Sequence, residues 1–211
     1  GLRRGRRVGR GGRGAGAAGV AVEDGRKWIG GASRRHGGGV RRQRIGHGGI
    51  HRPGIAVGGH CIPVYPRLYL STDPDASVVR TARTFHATMP AYVVGRATEV
   101  LGSLKGLRVV VLGAPYRGKV KETAFSGVFP TVEALREAGA EVLVHDPMYT
   151  DEELAGFGWT PYLLGEQVDV AIVQADHPEY GELSAADLPG LRLLLDGRRA
   201  PDAAKWNGWP R

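Results

Sequence analysis

The sequence has little cysteine, no long apolar run and few acidic residues near its start. Its one cysteine, Cys61, excludes an intramolecular disulfide and a zinc site built on several cysteines. No window of about 18 residues is uninterruptedly apolar, and the Arg-rich start has no apolar segment of the signal-peptide type. We therefore predict a cytoplasmic protein without a membrane span or a metal site, in which any special role of Cys61 is that of a thiol.

The positive charge is concentrated in the first 50 residues. That segment has 12 Arg and 1 Lys against Glu23 and Asp24, whereas the rest of the chain has 16 basic and 19 acidic side chains. The segment also holds 17 of the 34 glycines and few large apolar side chains, so burial cannot offset its chain entropy. We predict that residues 1–50 form no packed core, either as a disordered segment or as GC-rich coding sequence read out of frame.

Two motifs in this segment resemble functional sites, but the residues around each motif argue against that function. Residues 10–14, Arg-Gly-Gly-Arg-Gly, are typical of tails that bind RNA or DNA, but Trp28 is the only aromatic residue of the segment. Residues 14–19 match the glycine pattern of dinucleotide-binding folds, yet no apolar strand precedes them. An Arg/Gly-tailed nucleic-acid binder therefore stays open as an alternative, and nucleic acid is not the partner we expect.

A glycine-rich block surrounds the cysteine. We predict that residues 51–66 form a loop that ends in the thiol, with prolines fixing its exit. A lone cysteine is most often a small buried side chain. The flanking Gly58, Gly59 and Pro63 instead favour a backbone that approaches a ligand closely, and the role of His60 beside the thiol is open.

Downstream, apolar spacing predicts a long helix followed by alternating strands and helices. Apolar residues three and four apart predict a helix over 74–104, which Pro90 should kink or split. A second helix is expected over 128–138, and Thr150 with Glu153 has the spacing of a capping box. Apolar runs predict buried strands at 107–112, 141–145, 168–174 and 191–195. The fold class is therefore α/β, a small doubly wound parallel sheet of Rossmann type behind a long central helix.

In such sheets ligands bind beyond the carboxyl ends of the strands, and here that edge is basic. The first of these strands is followed by Tyr116, Arg117, Lys119 and Lys121, and the last by Arg198 and Arg199. Arginine and lysine at this edge favour a phosphate-bearing ligand, although a solvated loop with ordinary surface charge has the same composition.

Several motifs in this order resemble one known family. Residues 58–63, Gly-Gly-His-Cys-Ile-Pro, resemble the catalytic-cysteine motif of the UDP-glucose/GDP-mannose dehydrogenases, in the form of their UDP-N-acetylhexosamine (mannosamine or glucosamine) branch. The resemblance covers about residues 51–211. Its later elements are Leu112-Gly113, Tyr116-Arg117-Gly118, His145-Asp146-Pro147 and Asp196-Gly197-Arg198.

This resemblance implies an enzyme that oxidises the C6 alcohol of a UDP-sugar to a carboxylate with two NAD, for polysaccharide precursors. It implies that Cys61 is the catalytic nucleophile and forms a thioester intermediate. The same resemblance implies contacts to substrate or cofactor for further residues. The substrate contacts would be Gly54, Gly58, Gly59, His60, Tyr116, Arg117 and Arg198, and the cofactor contacts Lys119 and Lys121.

The resemblance also divides the chain and exposes departures from the family. Residues 51–105 would be a remnant of the central dimerisation domain, with a homodimer expected through its helix, and 106–211 the UDP-sugar-binding domain. The family's NAD-binding domain has no counterpart here, Tyr65 stands where an acidic residue is common, and Ala124 stands where the family has Arg. We therefore expect a truncated, inactive fragment, with a non-catalytic nucleotide-sugar-binding or dimerisation module as the alternative.

Overall fold

The computed structural model of the chain describes residues 19–23, 26–30 and 54–206, and side chains from Gly54 onward except those of Ala203 and Ala204. The helices are α1 (Cys61–Thr72), α2 (Ser77–Leu101), α3 (Val128–Glu137) and α4 (Asp151–Gly156). The strands are β1 (Gly19–Glu23), β2 (Arg26–Gly30), β3 (Arg108–Leu112), β4 (Glu141–His145), β5 (Thr160–Pro161), β6 (Val170–Val173) and β7 (Leu193–Asp196). Short 3₁₀ helices lie at Pro178–Gly181 and Ala203–Trp206.

These strands form one sheet in the order β1-β2-β7-β6-β3-β4-β5. All neighbours from β2 to β5 are parallel, and only β1 pairs antiparallel with β2. The chain leaves β3 toward β4 on one side and returns through β6 on the other, so the strand order reverses between β3 and β6. This reversal is the place where doubly wound sheets bind ligands. The predicted α/β fold with its parallel sheet is confirmed.

Apolar strands and the helices that cover them form the core. Strands β3, β6 and β7 are buried along almost their whole length because the sheet is covered on both faces. One cluster joins α2, α3 and one face of the sheet through Val94, Ala97, Leu104 and Leu135, and the other face packs around Tyr180 and Leu188.

The elements after residue 106 lie close to their predicted positions. Strand β4 has the predicted bounds, and the ends of β3, β6 and β7 differ from the predicted ones by at most two residues. The predicted capping box is present, since Thr150 Oγ1 accepts a hydrogen bond from Glu153 N while the Glu153 carboxylate accepts one from Thr150 N.

The structure differs from two expectations about the prolines, the loop at residues 61–66 and a split of the helix at Pro90. Residues 61–66 are helical rather than a loop, since α1 begins at Cys61 itself. Pro63 lies in the first turn, where its missing N–H has no helical acceptor in any case. Pro90 lies inside α2 and does not split it, because α2 runs without a break from Ser77 to Leu101.

Part of the segment 1–50 pairs with the sheet. Its residues Gly19–Glu23 and Arg26–Gly30 form β1 and β2, and Lys27 is aligned with Leu193 at the edge of the parallel sheet. Pairing at a sheet edge needs only free backbone groups. The expectation that residues 1–50 form no packed core therefore stays a prediction. The glycine pattern at 14–19 and the Arg/Gly run at 10–14 lie outside the described residues, except for Gly19.

Among the described residues, no helix is long and apolar enough to cross a membrane. Within the same residues, no cluster of His, Cys, Asp and Glu side chains could hold a metal ion.

Candidate functional site

The candidate site lies at the carboxyl edge of the sheet, where β3, β6 and β7 end. Gly113 directly follows β3 with φ +105°, and a Cβ there would lie 2.7 Å from the backbone nitrogen of Ala175 after β6. A side chain at this position would separate the two loops, so glycine lets the loops after β3 and β6 meet.

The cysteine loop docks onto the loop that follows β3. Gly59 N donates to Ala124 O at 2.9 Å, with Gly59 in the left-handed region at φ +84°. A Cβ on Gly58 would lie 2.8 Å from the carbonyl oxygen of Phe125 and closer still to Tyr116 Cβ. The structure therefore brings Gly58, Gly59 and Tyr116 together, three residues that the sequence predicted as substrate contacts.

A carboxylate that the sequence analysis missed joins the two loops. Glu122 Oε1 pairs with His60 Nε2, and Glu122 Oε2 accepts from Tyr116 OH at 3.5 Å. The His60 side chain is about two-thirds exposed, so the pair is a surface contact of modest energy. The pair between His60 and Glu122 holds the His60 side chain beside the loop that follows β3.

Cys61 is exposed and is the first residue of α1. The unpaired N–H groups of a first helical turn favour a negatively charged group, and α1 has no acidic residue in that turn. Four residues before the cysteine, Val57 N donates to His86 Nε2 on α2 at 2.6 Å. The central helix therefore also holds the cysteine loop, through a histidine that the sequence analysis did not single out.

The loop after β7 carries Arg198 into the same edge. Arg198 Nη2 donates to Asp176 Oδ1 at 2.9 Å, and Gly118 N donates to the same oxygen at 3.0 Å. A Cβ on Gly54 would lie 2.7 Å from Arg198 Nη1, so the guanidinium occupies the space above that glycine. Burial acts to raise the pKa of Asp176, but the hydrogen bonds from Gly118 and Arg198 outweigh it and lower the pKa.

A buried polar network supports the loop after β3 from below. Asp146 accepts from Ala114 N at 2.9 Å and from Met148 N at 2.8 Å. His177 Nδ1 accepts from Lys119 N at 3.4 Å, and its Nε2 lies 3.1 Å from Asp146 Oδ2 without the alignment of a hydrogen bond. This network holds Lys119 in its left-handed conformation, φ +61°.

A tyrosine and a histidine beside this network have shifted pKa values. The Tyr180 hydroxyl donates to His145 O at 2.9 Å and lies 3.1 Å from His145 Nδ1. Burial raises the pKa of Tyr180 well above its ordinary value and lowers the pKa of His145. Both side chains are therefore uncharged at neutral pH, as a buried support requires.

The remaining predicted contacts are placed differently. The Arg117 guanidinium carbon lies 6.0 Å from the centre of the Tyr116 ring, within the site. Lys121 Nζ is instead bound to Glu153 Oε1 at 2.6 Å and lies over the Tyr149 ring. Of the predicted cofactor lysines, Lys121 therefore already has a partner.

The site residues that the sequence did not identify are Glu122, Asp176 and His86. Asp176 follows a buried strand at the ligand edge, a position that could have singled it out. Glu122 and His86 have no such signal, because their partners lie 62 and 29 residues away along the chain.

The fold and this edge together define a class of protein. A parallel doubly wound sheet, with a glycine loop, an arginine and an aromatic-basic loop at its switch point, is the architecture of nucleotide-binding α/β domains.

Comparison with known proteins identifies the family within this class. Residues 110–203 match the UDP binding domain of the UDP-glucose/GDP-mannose dehydrogenase family. A UDP-N-acetyl-D-mannosamine dehydrogenase of Pyrococcus horikoshii is 32% identical over 157 residues, which are 71% of this chain and 36% of that protein. One of Methanocaldococcus jannaschii is 28% identical over 166 residues, which are 74% of this chain and 38% of that protein.

Solved structures of dehydrogenases are also similar to this chain. The P. horikoshii UDP-D-ManNAc dehydrogenase has a TM-score of 0.59 at 27% identity, over 80% of this chain and 41% of that one. A UDP-glucose dehydrogenase of Pyrobaculum islandicum has a TM-score of 0.62 at 27% identity, over 73% of this chain and 37% of that one. Residues 110–203 are therefore a UDP binding domain of the UDP-glucose/GDP-mannose dehydrogenase family. The chain spans little more than a third of the length of the curated relatives it matches, at their C-terminal part.

Proposed function

We propose that this chain supplies the UDP-sugar site and the nucleophilic cysteine of a UDP-N-acetylhexosamine 6-dehydrogenase. Such an enzyme oxidises a C6 alcohol to a carboxylate and makes precursors of polysaccharides. The 211 residues alone are expected to bind UDP-sugar without turnover, because both oxidations need NAD and the chain matches only the C-terminal part of its relatives.

The observation that carries this proposal is the docking of the cysteine loop onto the UDP binding domain. Gly58 and Gly59 contact the loop after β3, and Gly54 lies under Arg198, so one short segment meets both sides of the crevice. A UDP diphosphate near Arg198 would leave the sugar directed along this segment toward Cys61. A binding module without chemistry has no need of an exposed thiol at the end of it.

The chain's own residues have distinct parts in the proposed reaction. Cys61 adds as thiolate to the C6 aldehyde and forms a thiohemiacetal; loss of hydride from C6 gives a thioester, and water releases the carboxylate and the thiol. NAD, when bound, accepts the hydride of each oxidation. Arg198, Arg117 and Tyr116 hold the nucleotide, and backbone groups at Gly58 and Gly59 line the sugar.

Of the two lysines predicted to contact the cofactor, one is already bound to another side chain. Lys119 lies on the loop after β3 and is the proposed contact to a cofactor phosphate. Lys121 would have to leave Glu153 to join it. The pairing with Glu153 lowers the pKa of that carboxyl, so the ion pair persists at neutral pH.

The test is protection of Cys61 from alkylation by iodoacetamide, read by intact mass, since the chain has no other cysteine. We expect UDP-N-acetylmannosamine to slow alkylation by roughly tenfold at saturation and UDP to slow it less, because only the sugar reaches the thiol. Binding of UDP-sugar without any protection of Cys61 would favour the non-catalytic module. NADH formation by the 211-residue chain, absent in Cys61→Ala, would contradict the expected inactivity.

We also propose that the protein is a homodimer through α2. Val78, Phe85 and Tyr92 lie seven residues apart on one face and are 81%, 67% and 56% exposed. Val78 and Phe85 line an open surface groove together with Ser77, Thr81 and Ala82. An apolar stripe of this length on an exposed helix is typical of a covered surface.

A further inference from the structure

Asp176 is the acceptor shared by the two sides of the ligand crevice. Its Oδ1 accepts from Arg198 Nη2 on the β7 side and from Gly118 N on the β3 side. We propose that Asp176 is a positioning residue for UDP-sugar binding: it holds Arg198 and the loop after β3 in the arrangement that a diphosphate requires. This inference rests on the proposed function and names a residue on which that site depends.

Asp176 is the hydrogen-bond partner that the described residues give the Arg198 guanidinium. The Arg198 side chain is 14% exposed, and its Nε is buried without a hydrogen-bond partner. The backbone N–H of Arg198 donates to Asp196 Oδ1 at 3.1 Å, which fixes the main chain but does not orient the guanidinium. Asp176 occupies Nη2, so Nη1 beside Gly54 is directed along the cysteine loop. A guanidinium that is bound through Nη2 can still donate from Nη1 to a phosphate oxygen.

The second hydrogen bond ties the opposite wall to the same carboxylate. A Cβ on Gly118 would lie 2.6 Å from His177 N, so only glycine lets the loop lie against residues 176 and 177. This contact sets the position of Arg117 and Tyr116 immediately before Gly118. One carboxylate therefore fixes the distance between the two basic sides of the crevice.

The chain offers a matched carboxylate at the other edge of the sheet. Asp169 accepts from Arg108 N at 2.9 Å, and its Oδ1 lies 3.7 Å from Arg192 Nη1. It has the same kind of partners and similar exposure, 31% against 25% for Asp176. It lies at the amino end of the strands, away from the site, and is therefore the control for the structural effect of such a pair.

The experiment is a double-mutant cycle with UDP binding measured by calorimetry on the full chain. We expect Asp176→Asn to weaken UDP binding by roughly tenfold, because the charge that holds Arg198 is lost while Gly118 N–H keeps an acceptor. Asp176→Asn combined with Arg198→Ala should bind no more weakly than Arg198→Ala alone. Asp169→Asn should bind as the unmodified chain does.

Additive losses in the cycle, or an equal loss in Asp169→Asn, would overturn the proposal. A second readout needs no ligand: modification of Arg198 by phenylglyoxal, mapped by mass spectrometry, with the more exposed Arg192 as internal reference. We expect Arg198 to react several times faster in Asp176→Asn, and equal rates would also overturn the proposal. If the unmodified chain does not bind UDP, the proposed function fails while this readout still decides whether Asp176 holds Arg198.

Folding of the variants is checked by far-UV circular dichroism. Asn has the shape of Asp, so Asp176→Asn should keep the spectrum of the unmodified chain. If it does not, Asp176→Glu takes its place. That variant keeps the charge but moves the carboxylate by one methylene, and the same weakening and the same faster reaction of Arg198 are expected from it.

Discussion

At the scale of single residues, the site depends on glycines that admit close approach of two loops. The resemblance implied that Gly58 lies in a sugar pocket, and the structure shows in addition that it contacts the Phe125 carbonyl and Tyr116. Glycine at this position is a packing requirement, since a methyl group would push the cysteine loop away from the UDP binding domain.

Gly58→Ala should therefore lower the free energy of unfolding by about 1–3 kcal/mol, the usual cost of overpacking. Gly95 is the matched control, because it lies inside α2 and a Cβ there meets no atom within 4 Å. Gly95→Ala should raise the free energy of unfolding by about 0.5–1 kcal/mol, through the higher helix propensity of alanine. Urea unfolding of both variants checks this, and equal effects of the two would contradict the close contact at Gly58.

The hydrogen bond from Val57 to His86 makes one end of the cysteine loop sensitive to pH. Burial and the nearby Arg83 lower the pKa of His86 below 6.5, so at neutral pH the ring is uncharged and Nε2 accepts the Val57 N–H. A lowered histidine pKa means that the contact is present above the ordinary value and is lost as pH falls through the lowered one.

We expect hydrogen exchange to show this loss at one amide and not at its neighbour. Between pH 7.5 and pH 5, the protection factor of the Val57 amide should fall by about fivefold or more as the bond is lost. The Gly59 amide, whose acceptor is the carbonyl of Ala124, should keep its protection factor. A parallel fall at both amides would mean that the whole loop opens and that His86 has no specific part.

At the scale of elements, α2 has two faces with different partners. Near its C-terminal end Val94 and Ala97 are buried against the core, whereas Val78, Phe85 and Tyr92 are exposed. The sequence predicted one apolar helix with a core or interface role, and the apolar spacing alone did not separate these two faces.

Phe85→Lys should disrupt the proposed homodimer, because a charge would enter the centre of the apolar face. We expect the dimer dissociation constant to rise at least roughly tenfold, measured by analytical ultracentrifugation. Leu163→Lys is the control, since Leu163 is 70% exposed on the UDP binding domain. A monomeric unmodified chain, or equal dissociation in both variants, would contradict the α2 interface.

Elements were predictable from the sequence where burial alone decides their structure. The strands after residue 106 are apolar along their length because both faces of the sheet are covered, and this composition fixed their bounds to within a few residues. The start of α1 was not predictable from composition, because Gly-Gly before and Pro63 and Pro66 after the cysteine indicate a loop locally. The roles of Glu122 and Asp176 arise only when the topology brings separate loops to one edge.

At the scale of the whole molecule, the net positive charge comes from residues 1–50, outside both core clusters of the described side chains, which lie between Ile55 and Trp206. Strands β1 and β2 pair with each other, and β2 pairs with β7 at the edge of the sheet. The proposed UDP-sugar contacts likewise begin at Gly54.

A chain that starts at His51 should therefore unfold in one cooperative urea transition and bind UDP within about twofold of the full chain, because it keeps both clusters and every proposed contact. Any affinity of the full chain for single-stranded nucleic acid should disappear with residues 1–50, and before deletion it should fall steeply as salt is raised. Calorimetry with UDP and fluorescence anisotropy with a labelled oligonucleotide measure the two affinities separately. Loss of cooperative unfolding would show that β1 and β2 are integral to the sheet, since pairing at an edge strand would then be what keeps β7 in register. Loss of UDP binding with cooperative unfolding retained would place a nucleotide contact in the Arg-rich segment and make its charge part of the site.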